Sequence, residues 1–160
     1  DGTNATKIAS GRKGIDRARD VGLVLLAADA SGGSHRCLEM TTQYALTREQ
    51  FGQIIGTFQG VKHQLANLAC DLEPAVSLWW YTAHALDHIQ DKATRHGALA
   101  KSNLTDLYDT MVRHASELHG GIGFTWEYDL HLWFRRSMFD RAFLGESGYH
   151  RRRAADLAGW

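Results

Sequence analysis

Three glycines in four positions, Gly120, Gly121 and Gly123, stand in the stretch from Glu117 to Tyr128. Without a Cβ they allow close approaches and backbone conformations barred to other residues. Amides exposed at such a turn, near a helix start, can cradle a phosphate. The plainer reading is a glycine-rich turn between helices. Arg48 has a group suited to paired, charge-assisted hydrogen bonds to phosphate oxygens. Taken alone, it reads as a solvated surface arginine. His84 and His88 have the i,i+4 spacing of a zinc pair, yet no third ligand is evident, and exposed polar histidines are the simpler reading. No Glu-x-x-His motif occurs, so di-iron bundle chemistry is disfavoured. The run His150-Arg151-Arg152-Arg153 could meet phosphate, and a solvated helix face explains it equally well. Trp79-Trp80 could line an acyl pocket, although aromatics on a helical stripe usually belong to the core.

The chain that must position these groups has 160 residues, enough for one domain with a sizeable core. Hydrophobic residues make up 44%, which argues against disorder. Eighteen basic and eighteen acidic side chains balance, so nothing points to nucleic acid or to a membrane surface. No apolar run is long enough to span a bilayer, and no signal peptide is visible. Asp1 stands where a start methionine would, and leads us to expect a fragment or processed product. Cys37 and Cys70 form no disulfide framework or metal spacing, so a reduced, cytoplasmic setting is expected.

Residues 1–14 are polar and small and read as a linker or arm; residues 15–160 read as the domain. A first helix is expected over 15–47, its buried stripe formed by Leu23, Leu26, Ala30, Cys37, Met40, Thr41 and Tyr44. Gly32-Gly33 within it suits a close helix crossing. A second helix is expected from Thr57 or Phe58 to about Leu86. Pro74 within it predicts a kink near Cys70, because the apolar stripe stays in phase on both sides. A third covers 92–118, with Leu104, Leu107, Tyr108, Met111, Ala115 and Leu118 inward. A fourth covers 127–143, with Leu130, Phe134 and Met138 on one face, and a short fifth covers 147–157. No strand alternation is seen. The fold class is therefore all-α: an antiparallel up-and-down four-helix bundle with a short extra C-terminal helix.

Two motifs carry a resemblance. Tyr44, Arg48, Phe51 and Gly52 follow Y-x-x-x-R-x-x-F-G, and Phe58, Gln59, His63, Leu65 and Ala66 follow F-Q-x-x-x-H-x-L-A. Downstream comes the run from His119 to Arg136. Together they resemble the C-terminal helical domain of acyl-CoA dehydrogenases, from roughly Asp20 to the C-terminus. The resemblance implies FAD as cofactor, an acyl-CoA thioester as substrate of the complete enzyme, and α,β-dehydrogenation in which a carboxylate removes the α-proton. It also implies a homo- or hetero-oligomer, each FAD lying at a subunit interface. By the motif match Arg48 meets the pyrophosphate, Gln50 makes a polar contact, and Phe51 packs beside the flavin or adenosine. Gly52 allows the turn, and Gly120, Gly121 and Gly123 approach the adenosine half.

The chain departs from the family pattern in two places. Glu117 stands where the family usually has a glutamine that donates to FAD, and an ionised carboxylate has no proton to donate. The two positions where family branches carry the catalytic glutamate hold Leu144 and Gly22. Glu146 and Asp20 lie two residues away from them and are the remaining, weaker candidates for a base; a surface carboxylate or a helix cap is the alternative for each. The ending Leu144-Gly145-Glu146-Ser147 resembles subunits of heteromeric bacterial enzymes that lack the base. Two other functions stay open: an acyl-CoA oxidase or flavin monooxygenase on the same scaffold, and a non-catalytic oligomerisation module.

Overall fold

The structure, a computed structural model, describes residues 11–160. Five helices follow in order: α1 (Gly11–Thr47), α2 (Gln59–His88), α3 (Gln90–His119), α4 (Leu130–Ala142) and α5 (Ser147–Asp156). They form the expected helical bundle, with α5 as the short extra helix. Between α1 and α2 lies an antiparallel pair of two-residue strands, β1 (Glu49–Gln50) and β2 (Gln53–Ile54), followed by a 3-10 turn, Ile55–Thr57. The strand pair was not expected, since two residues are too few to show an alternation. Among the described residues no helix is long and apolar enough to cross a membrane.

α3 is the central helix and packs on α1, α2, α4 and α5. Its buried positions Ala93, Gly97, Ala100, Leu104, Tyr108, Met111 and Ala115 recur every three or four residues, so one face is apolar along its length. Against it lie Ala27, Ala30 and Cys37 of α1 and Leu68, Leu72 and Ala75 of α2. Small side chains on α1 let the two helices approach closely. Gly33 takes this furthest: a Cβ there would stand 2.3 Å from Cζ of Tyr108. Gly32, its neighbour, has open space where a Cβ would go. The expected close crossing is thus the property of Gly33 alone.

Several boundaries differ from the expectation. α1 already includes Gly11–Gly14, which the sequence places in the arm; the rest of that arm, residues 1–10, lies outside the described residues. Asp16 pairs with Arg12 and Arg19 one turn to either side, and the Arg17 guanidinium reaches the Leu86 carbonyl and Asp87 at the end of α2. These contacts give a polar segment reasons to be helical that an apolar stripe does not reveal. α2 runs through Pro74 as one helix. A single residue, Ile89, joins α2 to α3. On α4, Met138 is exposed rather than inward, and the buried positions are Leu130, Ser137 and Asp140. Ser137 Oγ donates to the Phe134 carbonyl, and Asp140 lies 3.4 Å from Arg136, which pairs with Asp29 of α1.

Candidate functional site

α1 ends where its last carbonyls find other donors. Thr47 Oγ1 donates to the carbonyls of Gln43 and Tyr44, and the Arg48 amide donates to Tyr44 at 2.9 Å. The chain then turns sharply. Phe51 and Gly52 have φ of 55° and 76° between paired Gln50 and Gln53. Left-handed backbone at both central residues suits a tight hairpin that follows the strand twist. The hairpin holds Phe51 in solvent at 93% exposure, with an edge contact to Phe58, their ring centres 6.3 Å apart. Gln50 is exposed beside it. Arg48 is exposed too, and pairs with no carboxylate among the described residues.

The three glycines of the second motif have three different reasons to be glycine. Gly120 ends α3 with φ of 62° and ψ of −141°. Such backbone is closed to a side chain. Gly123 is a packing glycine, since a Cβ would meet the Ser116 carbonyl oxygen at 2.8 Å. Only Gly121 has neither constraint: its φ is not positive, and nothing lies within 4 Å of a Cβ there. The sequence pattern treats them alike, while the structure leaves Gly121 as the one of the three with neither a positive φ nor a neighbour where a Cβ would stand. Glu117, on the last turn of α3, is exposed with its carboxylate 3.4 Å from the His114 ring.

A cluster of rings brings the two motifs together. Tyr44 stacks on His119 with centroids 4.4 Å apart, and Tyr128 meets the same imidazole at 4.8 Å. A carbonyl can only accept, so the His119 Nδ1–H donates to the Ala115 oxygen at 2.7 Å. Nε2 is then left to accept from the Tyr128 hydroxyl at 3.0 Å. Burial pushes the His119 pKa down, with the Ala115 hydrogen bond opposing. Beside the cluster an open groove of about 490 Å³ runs between α1 and the segment before α4, lined in part by Arg36, Gln43, Tyr44, Tyr128 and Asp129. His119 had no role in the sequence reading beyond its place in the motif. Its signal was a histidine on the apolar face of α3, four residues after Ala115.

A histidine whose pKa is lowered on folding stays neutral while the unfolded chain takes up a proton below about 6.5. The cluster should therefore lose stability as pH falls below that value. NMR of the imidazole carbons checks this: His119 should titrate below 6.5, and a midpoint at or above it would contradict the burial of a neutral ring.

The two positions expected to carry a base are neighbours in space. A Cβ on Gly22 would lie 2.7 Å from Cδ1 of Leu144, so the leucine occupies the place a side chain at 22 would need. Leu144 and Gly145 turn the corner between α4 and α5 with φ of 60° and 106°. Buried Lys101 locks that corner, its ammonium donating to the carbonyls of Arg141 and Gly145 at 2.9 and 3.0 Å. His150 Nε2 donates to the Leu144 carbonyl at 2.9 Å. Burial brings Lys101 down to about 8, with Asp140 and Asp106 opposing.

The two nearby carboxylates, offered by the sequence as weaker base candidates, are placed differently. Asp20 is buried and held by the Thr94 hydroxyl, Arg19 at 3.2 Å and Arg153 at 3.4 Å. Its oxygens serve a structural network. Glu146 is exposed at the N-cap position of α5. His84 and His88 lie with rings 4.5 Å apart, and among the described residues no three His, Cys, Asp or Glu side chains are grouped to hold a metal.

Residues 10–158 match the family description "Acyl-CoA dehydrogenase, C-terminal domain". The chain is 36% identical over 118 residues to acyl-CoA dehydrogenase IpdE2 of Mycobacterium tuberculosis, covering 74% of this chain and 35% of that protein. Its fold matches that of butyryl-CoA dehydrogenase from Megasphaera elsdenii with a TM-score of 0.89 at 23% identity, over 96% of this chain and 40% of that one. A Tcur3481–Tcur3483 steroid ACAD variant matches with a TM-score of 0.82 at 32% identity, over 88% and 38%. The chain thus spans little more than a third of the length of these relatives. On the family match over nearly its whole length, the chain belongs to the acyl-CoA dehydrogenase family, of which it is the C-terminal helical domain.

Proposed function

We propose that this chain supplies the helical part of an FAD site in an acyl-CoA dehydrogenase, and that the proton-abstracting carboxylate comes from another subunit. The carrying observation is the contact of Leu144 with Gly22. The two places where the family resemblance puts a base meet in space, and an apolar side chain fills both. A leucine there cannot accept a proton. The residues matched to the cofactor remain available: Arg48 exposed, Gly121 open and the hairpin with Gln50 and Phe51 in solvent.

Family members generally depend on FAD, and the donor set suits its pyrophosphate. Arg48 would hold that pyrophosphate by charge-assisted hydrogen bonds, and the chain at Gly121 would let the adenosine half approach the backbone. Bound there, FAD would supply the hydride-accepting chemistry of the reaction. Glu117 lies next to His114, which gives its carboxylate a neighbour other than a phosphate. Large apolar groups stand in solvent, among them Phe51, Phe124, Trp126 and Trp80. Such exposure supports burial by further domains or subunits.

The test is the visible absorption spectrum of the purified assembly, with intact masses from the same sample. The expected result is a flavin band that bleaches anaerobically with an acyl-CoA, together with a second chain bearing the base. A colourless assembly of this chain would overturn the proposal and favour a non-catalytic oligomerisation module. Rapid oxygen consumption by the reduced protein would instead identify an oxidase or monooxygenase on the same scaffold.

A further inference from the structure

α4 meets α1 and α3 across a group of charges, with Asp140 and Lys101 buried and Asp29 and Arg136 exposed, that the flavin site does not use. Asp140 of α4 is fully buried, and neither of its carboxyl oxygens receives a hydrogen bond from a fixed donor among the described residues. Arg136, one turn earlier, is committed elsewhere: its Nε donates to Asp29 Oδ2 of α1 at 2.7 Å and lies 3.4 Å from Asp140. From α3, Lys101 gives its protons to the Arg141 and Gly145 carbonyls, and the Tyr108 hydroxyl is buried without a partner. Cys37 of α1 is buried nearby, and burial pushes its thiol up to about 12, so it adds no charge. Asp29 Oδ2 and Asp140 Oδ1 flank the same Arg136 Nε, at 2.7 and 3.4 Å.

Two ionised carboxylates cannot share such a place cheaply. A carboxylic acid beside a carboxylate can, because the acid donates and the ion accepts. We propose that Asp140 and Asp29 share one proton across the α1–α4 contact, Asp140 carrying it and Asp29 held ionised by Arg136, and that this proton is a pH-sensitive latch on the helix leading to the Leu144 corner. The latch explains why Asp140 tolerates full burial without a fixed donor. It is independent of the flavin reading.

Burial first, then the Asp29 carboxylate, push Asp140 up to about 7, with Arg136 and Lys101 opposing. For Asp29, burial acts upward, but hydrogen bonds from Arg136 and Asp140 outweigh it and hold the group below 3.8. A carboxyl raised on folding stabilises fully below its unfolded value of 3.8, and that stability is lost as pH rises through about 7. Asp29 acts only below this window.

The test is a titration of the 160-residue chain carrying 13C-labelled aspartate carboxyls. One carboxyl should titrate near neutrality, and that signal should be absent in Asp140→Asn. Asp29→Asn, which removes the neighbouring negative charge, should move the Asp140 midpoint down. The melting temperature of Asp140→Asn minus that of the natural chain should rise from pH 5 to pH 7.5 and then level off, since the amide keeps a donor toward Asp29 without the titration. Aspartates that are all ionised at pH 5 would overturn the proposal from the natural chain alone. A melting difference constant with pH would overturn the latch.

Discussion

Gly33→Ala should destabilise the chain by about 1–3 kcal/mol, while Gly32→Ala, one residue away on the same helix, should stabilise it by about 0.5–1 kcal/mol. The added Cβ at 33 would stand 2.3 Å from Cζ and 2.4 Å from the hydroxyl oxygen of Tyr108. Tyr108 has no exposed surface and lies within the core formed by α1, α2 and α3, so its ring has nowhere to go. α1 and α3 would have to separate, loosening contacts along both. At Gly32 nothing lies within 4 Å of a Cβ, and alanine only removes the conformational freedom glycine has in the unfolded chain. For a chain of this size each kcal/mol corresponds to about 2–4 °C in melting temperature, so thermal melts separate the two variants. A second substitution, Tyr108→Phe, removes the hydroxyl that the new methyl would strike and should recover part of the loss. Equal effects at 32 and 33 would mean that the crossing is looser than described.

Arg48→Ala should weaken FAD retention in the complete assembly by roughly 10–100-fold, the value of losing one charged hydrogen-bonding group from a phosphate. The guanidinium is exposed and pairs with no carboxylate among the described residues, so the helical fold does not depend on it. The melting temperature of the 160-residue chain should stay the same, which separates a binding effect from a folding one. Arg48→Lys should recover only part of the affinity, since an ammonium keeps the charge but not the planar fork. Flavin released per chain after gel filtration provides the measurement. Unchanged occupancy in Arg48→Ala would remove Arg48 from the cofactor site. It would not touch the proposal for Asp140, which rests on other residues.

The helices and their inward faces could be read from the chain because helical periodicity is local. Leu104, Tyr108, Met111 and Ala115 announce a buried face through spacings of three and four residues, whatever packs on it. The motif around Arg48 and the glycines of 120–123 were legible for the same reason: a tight turn needs particular residue types at adjacent positions. Other features depend on partners distant in sequence, and no local pattern predicts those. Asp20 is a base candidate by its number alone, yet Arg153, 133 residues later, folds back to hold it. Gly22 and Leu144 are unrelated positions in the chain until α1 and the α4–α5 corner meet. The same fold separates Gly120, Gly121 and Gly123: a positive φ marks the first, close neighbours of the missing Cβ mark the third, and the second has neither. It also makes Lys101 a buried clamp and Asp140 a buried acid, residues whose types alone would place them in water. Sequence determined the bundle and the family; tertiary structure decided which charges are buried, which glycine is open and that the expected base positions share one apolar contact, since each depends on what long-range packing brings within a few ångströms.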